Sequence, residues 1–339
     1  MKENLKTFDL SELEMFFQKI NENKYRAKQV FRWIYRGITS FDEMTDLPVN
    51  LREKLKEIAE IGSLSIIECQ LSKEDETRKY LFELPDGNTI ESVFMKYKFG
   101  NSICISSQAG CRMGCLFCAS GKDGLARNLS EWEMVDQIIC AQRDTCERIG
   151  NVVVMGTGEP FDNYDQLSRF IRLINAKEGL DIGARSITIS TCGIIPMIER
   201  FSIDFPQVNL AVSLHGSNDA ERTAIMPIGR SYPMDQLFSA CKAYTKKTGR
   251  RITFEYALIQ GKNDQPENAD ELAQKLKGML CHVNLIPLNL VSGTSYQSPD
   301  KRSATAFKER LEKKGISVTI RRELGSDIDA ACGQLRMRK

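Results

Sequence analysis

The sequence predicts an α/β fold, a largely parallel sheet with helices outside it, preceded by a small helical unit. Three observations carry that reading. The β-rich runs NVVVMG, RSITISTC, QVNLAVSLH, RRITFEYALI and HVNLIPLNLV are separated by segments of helical period such as SEWEMVDQIICAQRDTC, MDQLFSACKAYTKKTG and NADELAQKLKGML. Counting the strand that leads into a dense cysteine cluster, the alternation gives six β/α repeats, with a late strand at ISVTIRRE. A chain of 339 residues, 42% hydrophobic and 27% charged, has the composition and length to bury a large core. Such a sheet is either open or curled into a partial barrel, and in both cases ligands collect at the carboxyl ends of its strands.

The elements follow in order. From about residue 9 to 60, SELEMFFQKI, YRAKQVFRWIYRG and LPVNLREKLKEIAE place apolar residues three and four apart, as helices do. Within this unit Lys24, Arg26, Lys28, Arg32 and Arg36 form a basic run interleaved with Tyr25, Trp33 and Tyr35. The run is either a solvated helix face or a phosphate-tracking helix with aromatics that stack on bases. Strands follow at TRKYLFEL, TIESVFMKY and NSICISSQ, with Asp86-Gly87 as the turn between the first two. Ser130 and Glu133 form a capping box that starts the first helix after the cysteine cluster.

No apolar run approaches the roughly 18 residues needed to cross a bilayer. The first residues lack the layout of a cleavable signal, so a cytoplasmic address is expected, with no membrane partner. A reducing compartment turns attention from disulfides to metal binding or thiol chemistry. The net charge of +2 confines any nucleic-acid surface to a local patch.

The chain has eleven cysteines, and CISSQAGCRMGCLFC puts four of them within fifteen residues. Cys111, Cys115 and Cys118 form C-x3-C-x2-C on the loop after the strand around Ile103 to Ser107. Three thiolates from one loop can hold three irons of a cubic cluster and leave the fourth open to a ligand, whereas a closed structural site usually has four protein ligands. Zinc stays possible at this point, although the chain has two histidines and no second C-x2-C.

C-x3-C-x2-C after the first strand of a six-fold β/α array resembles the signature of radical S-adenosylmethionine (radical SAM) enzymes. The resemblance implies a partial (β/α)6 radical SAM barrel carrying a [4Fe–4S] cluster on Cys111, Cys115 and Cys118. Gly156-Thr157-Gly158-Glu159-Pro160 looks like that superfamily's glycine-rich turn, where backbone groups and a carboxylate receive the cofactor's ammonium. VMGTGEPFDNY, STCG, AVSLHGSNDAERTAIMPI, CHVNLIPLN and DIDAACGQLR together resemble the RlmN family of bacterial RNA methyltransferases, from roughly residue 20 to the end. By that resemblance Gly158, Glu159, Ser190, Ser213, Leu214, His215 and Asn289 bind S-adenosylmethionine, two molecules per turnover. Cys192, where a serine is commoner, and Thr157, where a larger apolar residue is, depart from the family pattern.

The resemblance further implies methylation of carbon 2 of an adenosine in 23S rRNA and in certain tRNAs. That carbon is electrophilic, so direct displacement on a sulfonium cannot methylate it. Cys332 matches the thiol that first takes a methyl group and then joins the base covalently. Cys104 matches the thiol that resolves the adduct by closing a disulfide, and Glu91 the candidate proton acceptor. The remaining six, Cys69, Cys140, Cys146, Cys192, Cys241 and Cys281, are expected to be packing residues. The expected organisation is an accessory, RNA-contacting domain over 1–90, helical then β, a radical SAM core over 97–327, and a segment over 328–339 carrying Cys332. A monomer is expected, with an electron donor such as flavodoxin or ferredoxin. Two other readings compete: the sister family Cfr, which methylates carbon 8, and a non-catalytic RNA-binding module stabilised by a structural metal.

Overall fold

The computed structural model of the chain describes residues 2–289, 296–322, 324–328, 330 and 333–335. Strand β1 (Glu3–Asn4) leads into three helices, α1 (Leu10–Lys19), α2 (Tyr25–Tyr35) and α3 (Val49–Ile58), and pairs in parallel with β2 (Ala59–Glu60). Each helix forms where the apolar spacing predicts. Asp9 and Glu12 cap α1 reciprocally, and Leu13, Phe17, Val30, Phe31, Ile34, Leu51 and Leu55 join the same continuous apolar core as the sheet residues Ile103, Val152 and Ile189.

Strands β3 (Ser65–Leu71), β4 (Arg78–Glu83), β5 (Thr89–Tyr97) and β6 (Gly100–Ile105) run antiparallel to one another. The Cys loop then carries a short hairpin, β7 (Gln108–Gly110) and β8 (Leu125–Asn128). The repeats continue with α4 (Glu131–Thr145), β9 (Asn151–Val154), α5 (Tyr164–Asn175), β10 (Ile187–Thr191), α6 (Ile195–Asp204), β11 (Asn209–Ser213), α7 (Asp219–Ile225) and α8 (Met234–Thr248). After them come β12 (Ile252–Leu258), α9 (Pro266–Leu276), β13 (Cys281–Pro287), α10 (Lys301–Lys313) and β14 (Val318–Ile320). Among the described residues one ten-stranded sheet runs β14-β13-β12-β11-β10-β9-β6-β5-β4-β3, parallel from β6 to β14. The six β/α units and the late strand are therefore present as expected. β3, at the edge of that sheet, and the separate β7–β8 hairpin are additional to the strands the sequence predicts. The strands of residues 65–97 join the same sheet as the β/α units, and only the helical part of the N-terminal region stands outside it.

That helical unit is bonded to the core through a buried ion pair. Lys6 Nζ lies 2.5 Å from Asp136 on α4, both side chains being about 2% exposed or less. The other oxygen of Asp136 accepts the Leu64 backbone N–H at 2.6 Å. Lys28 and Arg32 of the basic run converge on Glu178, at 2.7 and 2.6 Å. Glu178 follows α5, on the side of the sheet where strands begin rather than end. Tyr35 is buried against Phe31, with ring centroids 4.5 Å apart, so it is core and offers no stacking surface. No described helix is long and apolar enough to cross a membrane.

Candidate active site

The cysteine loop is shaped by its own backbone. Gly110 has φ +77°, and a Cβ there would stand 2.0 Å from the Gly124 carbonyl oxygen, so only glycine lets the loop close on itself. Next to it the Cys111 N–H donates to that same carbonyl at 2.8 Å, and the Cys118 N–H donates to the Cys115 carbonyl at 3.1 Å. The three thiols then line a cavity at the carboxyl ends of the parallel strands, as strand-end logic requires. Its walls come from Gly158 and Glu159 after β9, Ser190 at the end of β10, Ser213 and His215 after β11, Glu255 on β12 and Asn289 after β13.

The donor set fits a metal cluster. Burial pushes the Cys111 thiol up to about 12 and raises Cys115 further, with the neighbouring cysteines adding to the effect. Bare thiols so placed stay protonated at neutral pH, and the positive charge of bound iron is what would ionise them. Among the described residues no three His, Cys, Asp or Glu side chains converge closely enough to hold a single metal ion. A cubane bonds each cysteine to a different iron and asks for no such convergence.

Of the residues expected to bind the cofactor, Gly158, Glu159, Ser190, Ser213, His215 and Asn289 line this cavity. Leu214 does not: its side chain lies in the apolar core, and its N–H donates to the Glu255 carbonyl at 2.9 Å. Gly158 has φ +110°, and a Cβ there would stand 2.6 Å from Gln108. Glu159 is held rigidly, accepting from the Cys192 N–H at 2.7 Å and the Phe161 N–H at 3.0 Å, while burial raises its pKa above the ordinary carboxylate range. His215 adopts a left-handed backbone, φ +55°, and its Nδ1 accepts the Ala257 N–H at 2.8 Å. Burial, with a smaller contribution from Arg222, lowers its pKa to about 3. The ring is thus neutral, with its proton on Nε2.

A second cavity adjoins the first, and Met155, Ile286, Asn289 and Arg321 line both. It is lined largely by apolar groups, and Cys104 faces it, packed with Val93, Met95, Leu324, Ala330 and Leu335. Cys104 sits opposite Val93 in the β5–β6 register. Glu91 is two residues from Val93 on the same face, fully buried, with Lys79 Nζ 3.3 Å from its carboxylate; it lines neither cavity. Cys332 lies outside the described residues. Its chain neighbour Gly333 lines the first cavity and accepts the Ala119 N–H at 2.8 Å, and the Leu335 carbonyl accepts the Ser120 hydroxyl at 2.6 Å. Among the described residues no two cysteines are joined in a disulfide. Cys140, Cys192, Cys241 and Cys281 are buried as expected, whereas Cys69 and Cys146 are exposed. Cys69 is on the edge strand β3, and Cys146 caps α4 in a left-handed conformation, so neither is a packing residue.

Among the wall residues that sequence reasoning missed are Met155, Glu255 and Arg321, and it also missed one buried cation, Arg222. Glu255 and Arg321 sit in apolar or basic strand runs whose alternation could have marked an inward position. Arg222 lies in the middle of a short polar helix, DAERTAI, and reads as solvent-facing. Only the surrounding Gly193, Gly216 and Gly229 hint that something large fills the space beside them.

A three-cysteine loop on a cavity into which Glu159, Ser190, Ser213, His215 and Asn289 bring polar groups, at the strand ends of six β/α units, defines a radical SAM enzyme. Residues 105–273 match the radical SAM superfamily, and residues 3–61 match the family described as the ribosomal RNA large subunit methyltransferase N-terminal domain. The chain belongs to the RlmN family, a family of radical SAM RNA methyltransferases. A probable dual-specificity RNA methyltransferase RlmN of Thermoanaerobacter pseudethanolicus is 54% identical over 334 residues, 98% of this chain and 97% of the relative. One of Clostridioides difficile is 50% identical over 332 residues, again 98% and 97% of the two chains. The crystal structure of a radical SAM methyltransferase from Sphaerobacter thermophilus is 44% identical and superposes with a TM-score of 0.95, covering 98% of this chain and 99% of that one. Membership of an enzyme family sets aside the non-catalytic, metal-stabilised module.

Proposed function

We propose that this enzyme methylates carbon 2 of an adenosine in 23S rRNA, and of an adenosine in certain tRNAs, through a methylated Cys332 and a covalent protein–RNA intermediate resolved by Cys104. The observation that carries the reading is the pair of adjoining cavities, one lined by the three clustered cysteines and the other faced by a fourth cysteine. When bound, the cluster and S-adenosylmethionine supply a methyl group and a hydrogen-abstracting radical. The chain's own residues do the rest. Cys111, Cys115 and Cys118 hold the cluster, while Glu159, Ser190, Ser213, His215 and Asn289 orient the cofactor against it. Neutral His215 offers an Nε2–H donor and adds no positive charge beside a sulfonium. Cys332 carries the methyl group and the bond to the base, and the wall of apolar groups around Cys104 keeps water from the linkage. The Cys104 thiolate then attacks the sulfur of Cys332; the electron pair of the breaking carbon–sulfur bond stays with the carbon on the base, which takes up a proton to become the methyl group, and the disulfide so formed is reopened by an external reductant. Glu91, held beside Lys79 on the Cys104 face, is assigned the base-derived proton in the same proposal.

The deciding experiment is nucleoside mass spectrometry on rRNA and tRNA treated with anaerobically reconstituted enzyme, against 2-methyl- and 8-methyladenosine standards. 2-Methyladenosine supports the proposal. 8-Methyladenosine would transfer the chain to the chemistry of the sister family.

A further inference from the structure

We propose that Arg222 is the buried cation that balances the negative charge of the three-cysteine site when it holds its cluster, acting from behind the cysteine loop as a positioning residue. The inference rests on the radical SAM reading of that site and is independent of which base atom is methylated.

Arg222 is fully buried. Its Nη2 donates to the Cys192 carbonyl at 2.6 Å and its Nη1 to the Tyr232 carbonyl at 3.4 Å, while Nε has no hydrogen-bond partner among the described residues. No described carboxylate forms an ion pair with it; the charge of Asp219 on the same helix reaches it only beyond ion-pair distance, and that carboxylate accepts the Met234 N–H at 2.8 Å. The space it occupies is made by missing side chains. A Cβ on Gly193 would lie 3.3 Å from Nη2, one on Gly229 3.3 Å from Nη1, and one on Gly216 2.7 Å from the Arg222 backbone nitrogen.

A guanidinium does not shed its proton at any physiological pH, so it cannot escape burial by neutralising. Two neutral carbonyls recover only part of what leaving water costs it. The arrangement calls for an anionic partner, and its position says which one. Helix α7, which carries Arg222, ends at Ile225, whose carbonyl accepts the N–H of Leu116, between Cys115 and Cys118, at 3.0 Å. Cys192, Ile225 and Met226 form one apolar cluster with Cys115 packed against it. Arg222 does not line the cavity, so it does not bind the cofactor; it acts across apolar contacts, where the effective dielectric is low. Glu159 belongs to the same network on the other side of Cys192, which donates its N–H to that carboxylate. That carboxylate faces the cavity and is assigned to the cofactor's ammonium. Three thiolates outweigh the charge of an oxidised cubane core, and reduction adds one more negative charge. A fixed cation behind the loop therefore favours both loading of the cluster and its reduced form.

The test uses the full chain, purified anaerobically and reconstituted, as wild type, Arg222→Met and Arg222→Lys. Electron paramagnetic resonance at controlled potentials gives the cluster midpoint, and thermal melts are run on the iron-free and iron-loaded proteins. At the potential where the wild type is half reduced, the reduced-to-oxidised ratio of Arg222→Met should fall about tenfold, or ~59 mV for one electron. Arg222→Lys, which keeps the charge, should recover most of that ratio. Arg222→Met should also lower the melting temperature of the loaded protein more than that of the iron-free protein. An unchanged midpoint in Arg222→Met, an equal fall in Arg222→Lys, or equal melting losses in the two forms overturns the proposal and leaves Arg222 a packing residue. If Arg222→Met does not fold, Arg222→Gln takes its place with the same expectations. A wild type that assembles no iron–sulfur cluster would instead refute the reading of the site itself.

Discussion

The two adjoining cavities share four wall residues and are both lined mainly by apolar groups, but the polar side chains they carry differ. The first gathers polar groups from the ends of β9 to β13, with Glu159 and His215 fixed by backbone N–H donors at 2.7 to 3.0 Å. The second is faced by Cys104 and lined mostly by aliphatic side chains, several of them from the C-terminal segment. A cavity of the first kind orients a charged ligand before reaction, because its dipoles are already paid for in folding. One of the second kind excludes water from a thiol and from whatever bond that thiol must break. Under the proposed function, cofactor handling falls to the first chamber and product release to the second, so each can be damaged alone.

The largest effect expected is at the first chamber. Alanine at Cys111, Cys115 or Cys118 should abolish reductive cleavage of S-adenosylmethionine altogether, measured as 5′-deoxyadenosine in anaerobic assays. Stoichiometric zinc in active, anaerobically purified protein would break the comparison at its root.

The next effect separates the chambers. Cys104→Ala should leave cofactor cleavage and methylation of Cys332 intact but accumulate a covalent protein–RNA species, seen as a shifted band that RNase removes. Cys332→Ala should purify unmethylated and form no such band. Normal turnover by Cys104→Ala would show that the second chamber has no part in release.

A third substitution asks whether the chambers need the N-terminal unit to stay together. Lys6→Met leaves Asp136 buried and without its cation, so denaturant unfolding should report a loss of about 3–5 kcal/mol. The double variant Lys6→Met, Asp136→Leu should recover part of it.

The fourth is a pH effect confined to the first chamber. Because the His215 pKa is lowered from 6.5 to about 3 in the fold, its contribution to stability is complete above about 6.5. It is lost as pH falls, since the unfolded chain takes up the proton first. Between pH 6.5 and 5 the wild type should therefore lose up to about 2 kcal/mol that His215→Gln does not. Parallel stability curves for the two proteins would argue against a neutral imidazole.

The smallest effect is expected far from both chambers. Replacing Arg26, Lys28 and Arg32 together should change the salt dependence of RNA binding by less than about one unit of slope, because Lys28 and Arg32 already pair with Glu178. A larger drop would return the basic run to the RNA surface.

Local pattern and spacing along the chain encode a definite part of this molecule. The six β/α units follow from alternating periods, the capping box of α4 from Ser130 and Glu133, and the thiol-bearing wall of the first cavity from three cysteines on one loop. Those features depend on neighbours a few residues away. Tertiary structure alone decided which face each residue shows and what it meets there. It sent Leu214 into the core while its neighbours Ser213 and His215 line the cavity, placed Cys69 and Cys146 at the surface, and set Glu91 beside Lys79. It also buried Arg222 beside Gly193, Gly216 and Gly229, and bonded the end of its helix to the cysteine loop, which lies far earlier in the chain. Burial and charge pairing are sums over residues tens to hundreds of positions apart, and no local window of sequence contains them.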